Sequence, residues 1–276
     1  MPLRASCRLP KSASRNSDDG PLRRMLSHSA GWCYDEMSPL LHKWRAVHNQ
    51  PLQPDGNAYP DVPSRFLYPL ITEPGTQWRY SPAVDWAGLL VERLTGGTLE
   101  EFMIKNIFEP LGMRTTTFFL QKRPDMIAKR VDMTLRNKET GRLEFNDEKY
   151  WHEDTPVGFG GMTLKTTPND FMQLLHAILL NDGRLLSPAL VEEMFRPQLN
   201  DETAEEMNRL LIAPPYEIFF GRLVPGGIKA NFGLGGLLAM EDVLPGGWRR
   251  KGSMVWYGLP NLHWVGQPCR QSTMRG

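Results

Sequence analysis

The chain has 276 residues, of which 41% are hydrophobic and 23% charged, the balance of an ordinary globular protein. That length suits one large domain or two small ones. A net charge of +1 gives no electrostatic footprint for nucleic acid, and no apolar run reaches the roughly 18–20 residues needed to cross a bilayer.

The first 15 residues, MPLRASCRLPKSASR, carry four basic residues and no acidic one. They lack an amphipathic stripe and are broken by prolines, so residues 1–24 read as an irregular segment and not as a transit peptide. Cys7, Cys33 and Cys269 are odd in number and widely spaced, which suggests neither a disulfide framework nor a zinc site. The expectation is reduced thiols in a cytoplasmic protein. The six histidines show no ligand spacing, so neither a metal nor another cofactor is expected.

In chain order, LRRMLSHSAG reads as a short helix ending at Gly31. Residues 49–63, with five prolines or glycines, read as a long loop. In PGTQWRYSPAVDWAG, Pro74 and Gly75 mark a turn, Ser81 is a good N-cap and Pro82 suits a first helical position. Val84, Ala87, Leu90, Val91 and Leu94 then recur at helical spacing up to Gly96 and Gly97. Thr98 and Glu101 form a capping box for a second helix, which Pro110 is expected to end.

Residues 126–150 are polar, with β potential around RLEF. VGFGGMTLKTT combines close glycines with an apolar run and predicts a strand approached closely by other groups. Thr167 and Pro168 open a third helix running towards Gly183, whose stripe of Phe171, Leu174, Leu175, Ile178 and Leu179 is core. Ser187 and Pro188 open a fourth, stopping near Pro197. The rest favours short strands, notably GSMVWYGLPNLHWVG. Helices gathered in the middle and strands late in the chain predict an α+β architecture.

Four collinear stretches resemble a known family. RRMLSHSAG is similar to the LLTHTSG segment of serine β-lactamase-related proteins, which include class C β-lactamases, penicillin-binding proteins and related esterases. PGTQWRYSPAVDWAGLLVERLTGGTLEEFMIKNIFEPLGM and GFGGMTLKTTPNDFMQLLHAILLNDGRLLSP resemble the two segments that follow, and KGSMVWYGLPNLHWV resembles the terminal strands of fungal members such as the lovastatin-type transesterases. The likeness implies a β-lactamase/transpeptidase-like α+β fold over residues 25–265, with 266–276 an unstructured tail. It implies acyl transfer from a thioester or ester to an alcohol, in fungal secondary metabolism. The implied partners are a small-molecule acyl donor, an alcohol acceptor and a candidate acyl carrier protein, with neither nucleic acid nor membrane.

The family's chemistry uses a serine in Ser-x-x-Lys, with the lysine and a motif tyrosine moving the proton. By resemblance, Tyr80 is that tyrosine. A phenol with a pKa near 10 serves as a base only where a neighbouring cation favours the phenolate. The edge-strand triplet maps best to Trp256, Tyr257 and Gly258, with Lys251-Gly252-Ser253 a poorer alternative. Arg65 and Tyr150 are implied acceptor-binding residues.

Ser-x-x-Lys does not occur in these 276 residues; the nearest forms are Ser12-x-x-Arg15 and Ser272-x-x-Arg275. Arginine stays protonated and cannot act as the base. An incomplete gene model, a decayed copy and a non-catalytic paralogue each account for this. The chain as written is expected to be inactive in the family reaction and poorly stable, with Tyr80 an ordinary phenol. Ser29 has no lysine or histidine–carboxylate partner to make it a substitute nucleophile. His28 reads as a turn histidine bonded to backbone.

Overall fold

The computed structural model describes residues 20–50, 59–146, 155–214, 216–220, 223–224, 227–243, 249–258 and 262–268. The elements follow in chain order. Helices α1 (Pro21–Leu26), α2 (Pro39–Val47) and α3 (Val62–Phe66) precede the long α4 (Ala83–Thr95). After α5 (Leu99–Met103) come a π-turn at Ile104–Phe108 and the short α6 (Glu109–Leu111) and α7 (Pro124–Ile127). Strands β1 (Met133–Arg136) and β2 (Leu143–Asn146) pair antiparallel on their own. Helices α8 (Pro168–Leu180), α9 (Pro188–Met194), α10 (Asp201–Leu211) and α11 (Tyr216–Phe220) lead to β3 (Ala230–Phe232), β4 (Leu237–Ala239), β5 (Met254–Gly258) and β6 (Leu262–Gly266).

The last four strands form one antiparallel sheet in the order β3-β4-β5-β6. β5 and β6 pair from Met254 opposite Gly266 to Gly258 opposite Leu262, which brings Trp256 beside Trp264. Val255 on β5 is buried with Phe232, Leu237, Met207, Leu211 and Trp78, so the main core lies between the sheet and α10–α11. A second core of Cys33, Leu41, Val62, Phe66, Tyr68 and Phe159 fills the helical side.

Several helix signals act as read. Thr98 Oγ1 accepts from Glu101 N, while the Glu101 carboxylate accepts from Thr98 N at 2.8 Å. Gly96 closes α4 in the left-handed conformation at φ 74°. Other elements depart from the sequence reading. α1 already begins at Pro21 and stops at Leu26, with His28 in the left-handed region at φ 55°. Pro110 does not end the second helix. The π-turn re-phases the backbone, so Pro110 falls in the first turn of α6, where its missing N–H costs nothing. α8 ends at Asn181, in left-handed conformation at φ 52°, before Gly183 is reached.

GFGGM is a tight turn and not a strand; only Lys165, bridged to Thr117, is strand-like. The close approach inferred from its glycines is real. A Cβ on Gly161 would lie 2.7 Å from Asp85 Oδ2. α10 was missed altogether, although Asn200 caps it and Ala204, Met207 and Leu211 share its buried face.

Candidate active site

The site grows from two chain segments laid side by side. Arg79 N donates to His28 O at 2.9 Å, and Tyr34 N donates to Tyr80 O at 3.1 Å. These bonds fix residues 28–34 against 79–80, just ahead of α4. Ser81 does not cap that helix. Its hydroxyl is 3.0 Å from His28 Nδ1, both residues are buried, and α4 starts at Ala83 behind Pro82. His28 therefore bonds a side chain, not the backbone predicted for it. Burial pushes its pKa down to about 3, so the ring is neutral.

Tyr80 is half-buried against the main core. Its ring centroid lies 5.3 Å from that of Trp256 on β5, 5.0 Å from His28, 5.0 Å from Tyr34 and 5.3 Å from Phe220. Trp256 hydrogen-bonds the Tyr80 hydroxyl, and an indole N–H can only donate. That bond favours phenolate, yet burial outweighs it and, with Asp85 adding repulsion, the phenol is pushed up to about 12. Tyr80 is thus harder to ionise than the ordinary phenol expected from sequence.

Tyr34, which sequence reasoning passed over, completes the aromatic surround. Its hydroxyl donates to Asp85 Oδ2 at 3.4 Å, and Gly161 N donates to Asp85 Oδ1 at 2.9 Å. Asp85 is fully buried in the first turn of α4, where the helix dipole favours its charge. Burial still pushes its pKa up to about 7 against those bonds. Burial, then the Asp85 charge, drives the Tyr34 phenol well above the normal range. The only sequence signal for this pair was the polar Asp85 inside an apolar helical pattern.

The remaining predicted residues are placed as follows. Trp256, Tyr257 and Gly258 lie in register on β5, with Tyr257 stacked on His263 of β6 at 5.2 Å. Lys251 and Gly252 sit in the turn before that strand. Arg65, on α3, is committed to carboxylates. It donates to Asp35 at 3.2 Å and to Glu36 at 2.8 Å, and Asp35 also pairs with the buried Arg45. Burial works against ionised Asp35, but the Arg65 guanidinium holds its pKa below the usual range. Burial and the neighbouring Asp35 push Glu36 up to about 7. Arg65 thus belongs to a buried charge network with Asp35, Glu36 and Arg45. Tyr150 lies outside the described residues. Ser29 Oγ meets Ser27 Oγ at 3.0 Å. Among the described residues, no three His, Cys, Asp or Glu side chains gather as metal ligands, and no helix is long and apolar enough to cross a membrane.

Tyr80, just ahead of α4, faces Trp256 on β5, an inner strand between β4 and β6 and not the edge strand expected from the resemblance. The family described as Beta-lactamase matches residues 5–258, and the chain belongs to that family. Within it, the chain is 41% identical over 248 residues to monacolin J acid methylbutanoyltransferase of Aspergillus terreus, covering 90% of this chain and 59% of that protein. It is 39% identical over 254 residues to lovastatin esterase of Penicillium rubens, covering 90% of this chain and 62% of that protein. The solved structure of unliganded simvastatin synthase from Aspergillus terreus superposes with a TM-score of 0.80 at 41% identity, covering 89% of this chain and 60% of that one. The chain thus spans about 60% of the length of these relatives.

Proposed function

We propose that this protein works in acyl transfer between a thioester or ester donor and an alcohol acceptor, in fungal polyketide metabolism. The observation that carries this reading is the Tyr80–Trp256 contact in a chain 41% identical to a methylbutanoyltransferase. Within it, Tyr80 is the proton-handling group, and Trp256, Tyr257 and Gly258 line the acyl and acceptor side. Arg65, paired with Asp35 and Glu36, and Tyr150 help to hold the alcohol acceptor. An acyl carrier protein is a fitting donor, and the cytoplasm, where Cys33 stays a thiol, is a fitting location.

A second reading is binding without turnover. It is favoured by the absence of Ser-x-x-Lys from the 276 residues and by a Tyr80 phenol held near 12. One experiment separates the two. The chain is mixed with a 2-methylbutanoyl thioester and monacolin J, with tryptophan fluorescence reporting binding and mass spectrometry reporting ester. Saturable quenching, weakened in Trp256→Ala, is expected under both readings, and ester is expected only under the first. Ester formation would remove the second reading, and no saturable binding of either compound would remove both.

A further inference from the structure

A small polar cavity of about 20 Å³ lies beside the turn that carries His28, with Ser27 and Ser29 in its wall. Arg24, Ser27, Ser29 and Gly75 line it, together with Asn200 and Thr203 at the start of α10. Its volume matches room for about one water-sized particle. So small a volume favours a monatomic ion over a polyatomic one such as sulfate.

The lining is rich in donors and carries positive charge. Arg23, also at the wall, is satisfied by Glu193 and Gln198. Arg24 has no carboxylate within ion-pair distance among the described residues. Among the described residues its guanidinium donates only to Pro74 O at 3.3 Å, a long contact for a guanidinium. The guanidinium lies over Gly75, where a Cβ would come within 3.1 Å of Cζ. Ser27 and Ser29 are 1% and 5% exposed and bond each other at 3.0 Å. Ser27 has a further acceptor only in Arg24 O at 3.5 Å. When Ser27 donates to Ser29, the Ser29 proton is left to point into the cavity. Among the described residues, no carboxylate side chain lines the space.

We propose that this cavity is a binding site for a monatomic anion, chloride in the first instance, held by the Arg24 guanidinium and the Ser29 hydroxyl. The site is distinct from the aromatic surround of Tyr80 but joined to it. Ser27 and Ser29 flank His28, whose ring bonds Ser81 and lies 5.0 Å from Tyr80. Occupancy therefore stiffens the turn that positions Tyr80, and binding to the folded state alone raises its stability by mass action.

The test uses the whole chain. Thermal melting is followed in sodium chloride, bromide, sulfate and gluconate at one fixed ionic strength. Chloride and bromide should each raise the midpoint saturably above gluconate, and sulfate should not. Arg24→Gln should abolish the halide response, while Arg24→Lys keeps part of it. Arg184→Gln, at a surface guanidinium paired with Asp182 away from the cavity lining, should leave it unchanged. Crystals grown in bromide should show an anomalous peak within reach of Arg24 and Ser29. Equal melting in chloride and gluconate, a sulfate response equal to that of chloride, or a halide response that survives Arg24→Gln would each overturn the proposal and leave the space to water. If Arg24→Gln fails to fold, the salt series and the bromide peak on the unaltered chain still decide it.

Discussion

His28 Nδ1 and Ser81 Oγ meet at 3.0 Å inside the protein, and this one bond decides how α4 begins. The hydroxyl that the sequence offers as an N-cap is spent on the imidazole, so the helix starts without a side-chain cap. His28 is also in ring contact with Trp78, Tyr80, Phe232 and Trp256. It is the hub on which the tyrosine of the site turns.

Ser81→Ala should therefore destabilise the fold by about 1–3 kcal/mol, since it leaves a buried imidazole nitrogen without its partner. His28→Ala removes the ring from among four aromatics and should cost more, about 3–5 kcal/mol by analogy with aromatic truncations. Urea unfolding followed by tryptophan fluorescence measures both. Equal, small losses would show that the ring packing carries no weight.

Tyr80 should stay protonated well past the usual phenol range. The ultraviolet difference spectrum between the native chain and Tyr80→Phe should show no phenolate step until pH approaches about 12. A step near pH 10 would mean that the phenol is solvated. The folded pKa lies above the unfolded value near 10, so the unfolded chain releases this proton first. Stability should therefore fall as pH rises beyond 10.

Asp85 shapes the neutral range. Its pKa is 3.8 in the unfolded chain and about 7 when folded, so between these values the folded state keeps a proton that the unfolded state loses. Stability from this group is full below pH 3.8 and is lost as pH rises to 7. His28 acts in the opposite sense, losing stability as pH falls from 6.5 towards 3. Asp85→Asn should match the native chain at pH 4 and exceed it at pH 8 by up to ~4 kcal/mol, the ceiling for a shift of about three units. A pH-independent difference would contradict the assignment.

Helix signals were legible where the signal and its use are local. The capping box at Thr98 and Glu101 and the left-handed Gly96 act within one turn of chain, and both are in place. Reading failed where a distant segment claimed the same group. Ser81 was taken by His28, 53 residues away in sequence. Phe159 and the glycines after it look like a strand in isolation, but Asp85 draws Gly161 N out of any ladder. Tyr80 beside Trp256 was legible from resemblance alone. Tyr34 was not, because only the pairing of residues 28–34 with 79–80 brings it to the site.

Thr98→Ala should cost about 1 kcal/mol by opening the capping box, with little effect on acceptor binding. Melting and fluorescence titration of the same sample separate the two quantities.

Gly161→Ala should cost about 1–3 kcal/mol, because the added methyl overlaps the Asp85 carboxylate at 2.7 Å. Calorimetry of this variant, of Asp85→Ser and of the double variant gives the coupling directly. The double variant should be more stable than the sum of the two losses, and strict additivity would sever the pair.

That contact reaches beyond stability. The carboxylate occupies the space a side chain at 161 would need, and it also holds the Tyr34 hydroxyl. Sequence change at position 161 is therefore not free to occur first. A lineage that gives up Asp85 loosens Tyr34 beside Tyr80 before it gains any room at the glycine turn. One buried contact thus dictates the order in which this corner of the molecule can be rebuilt.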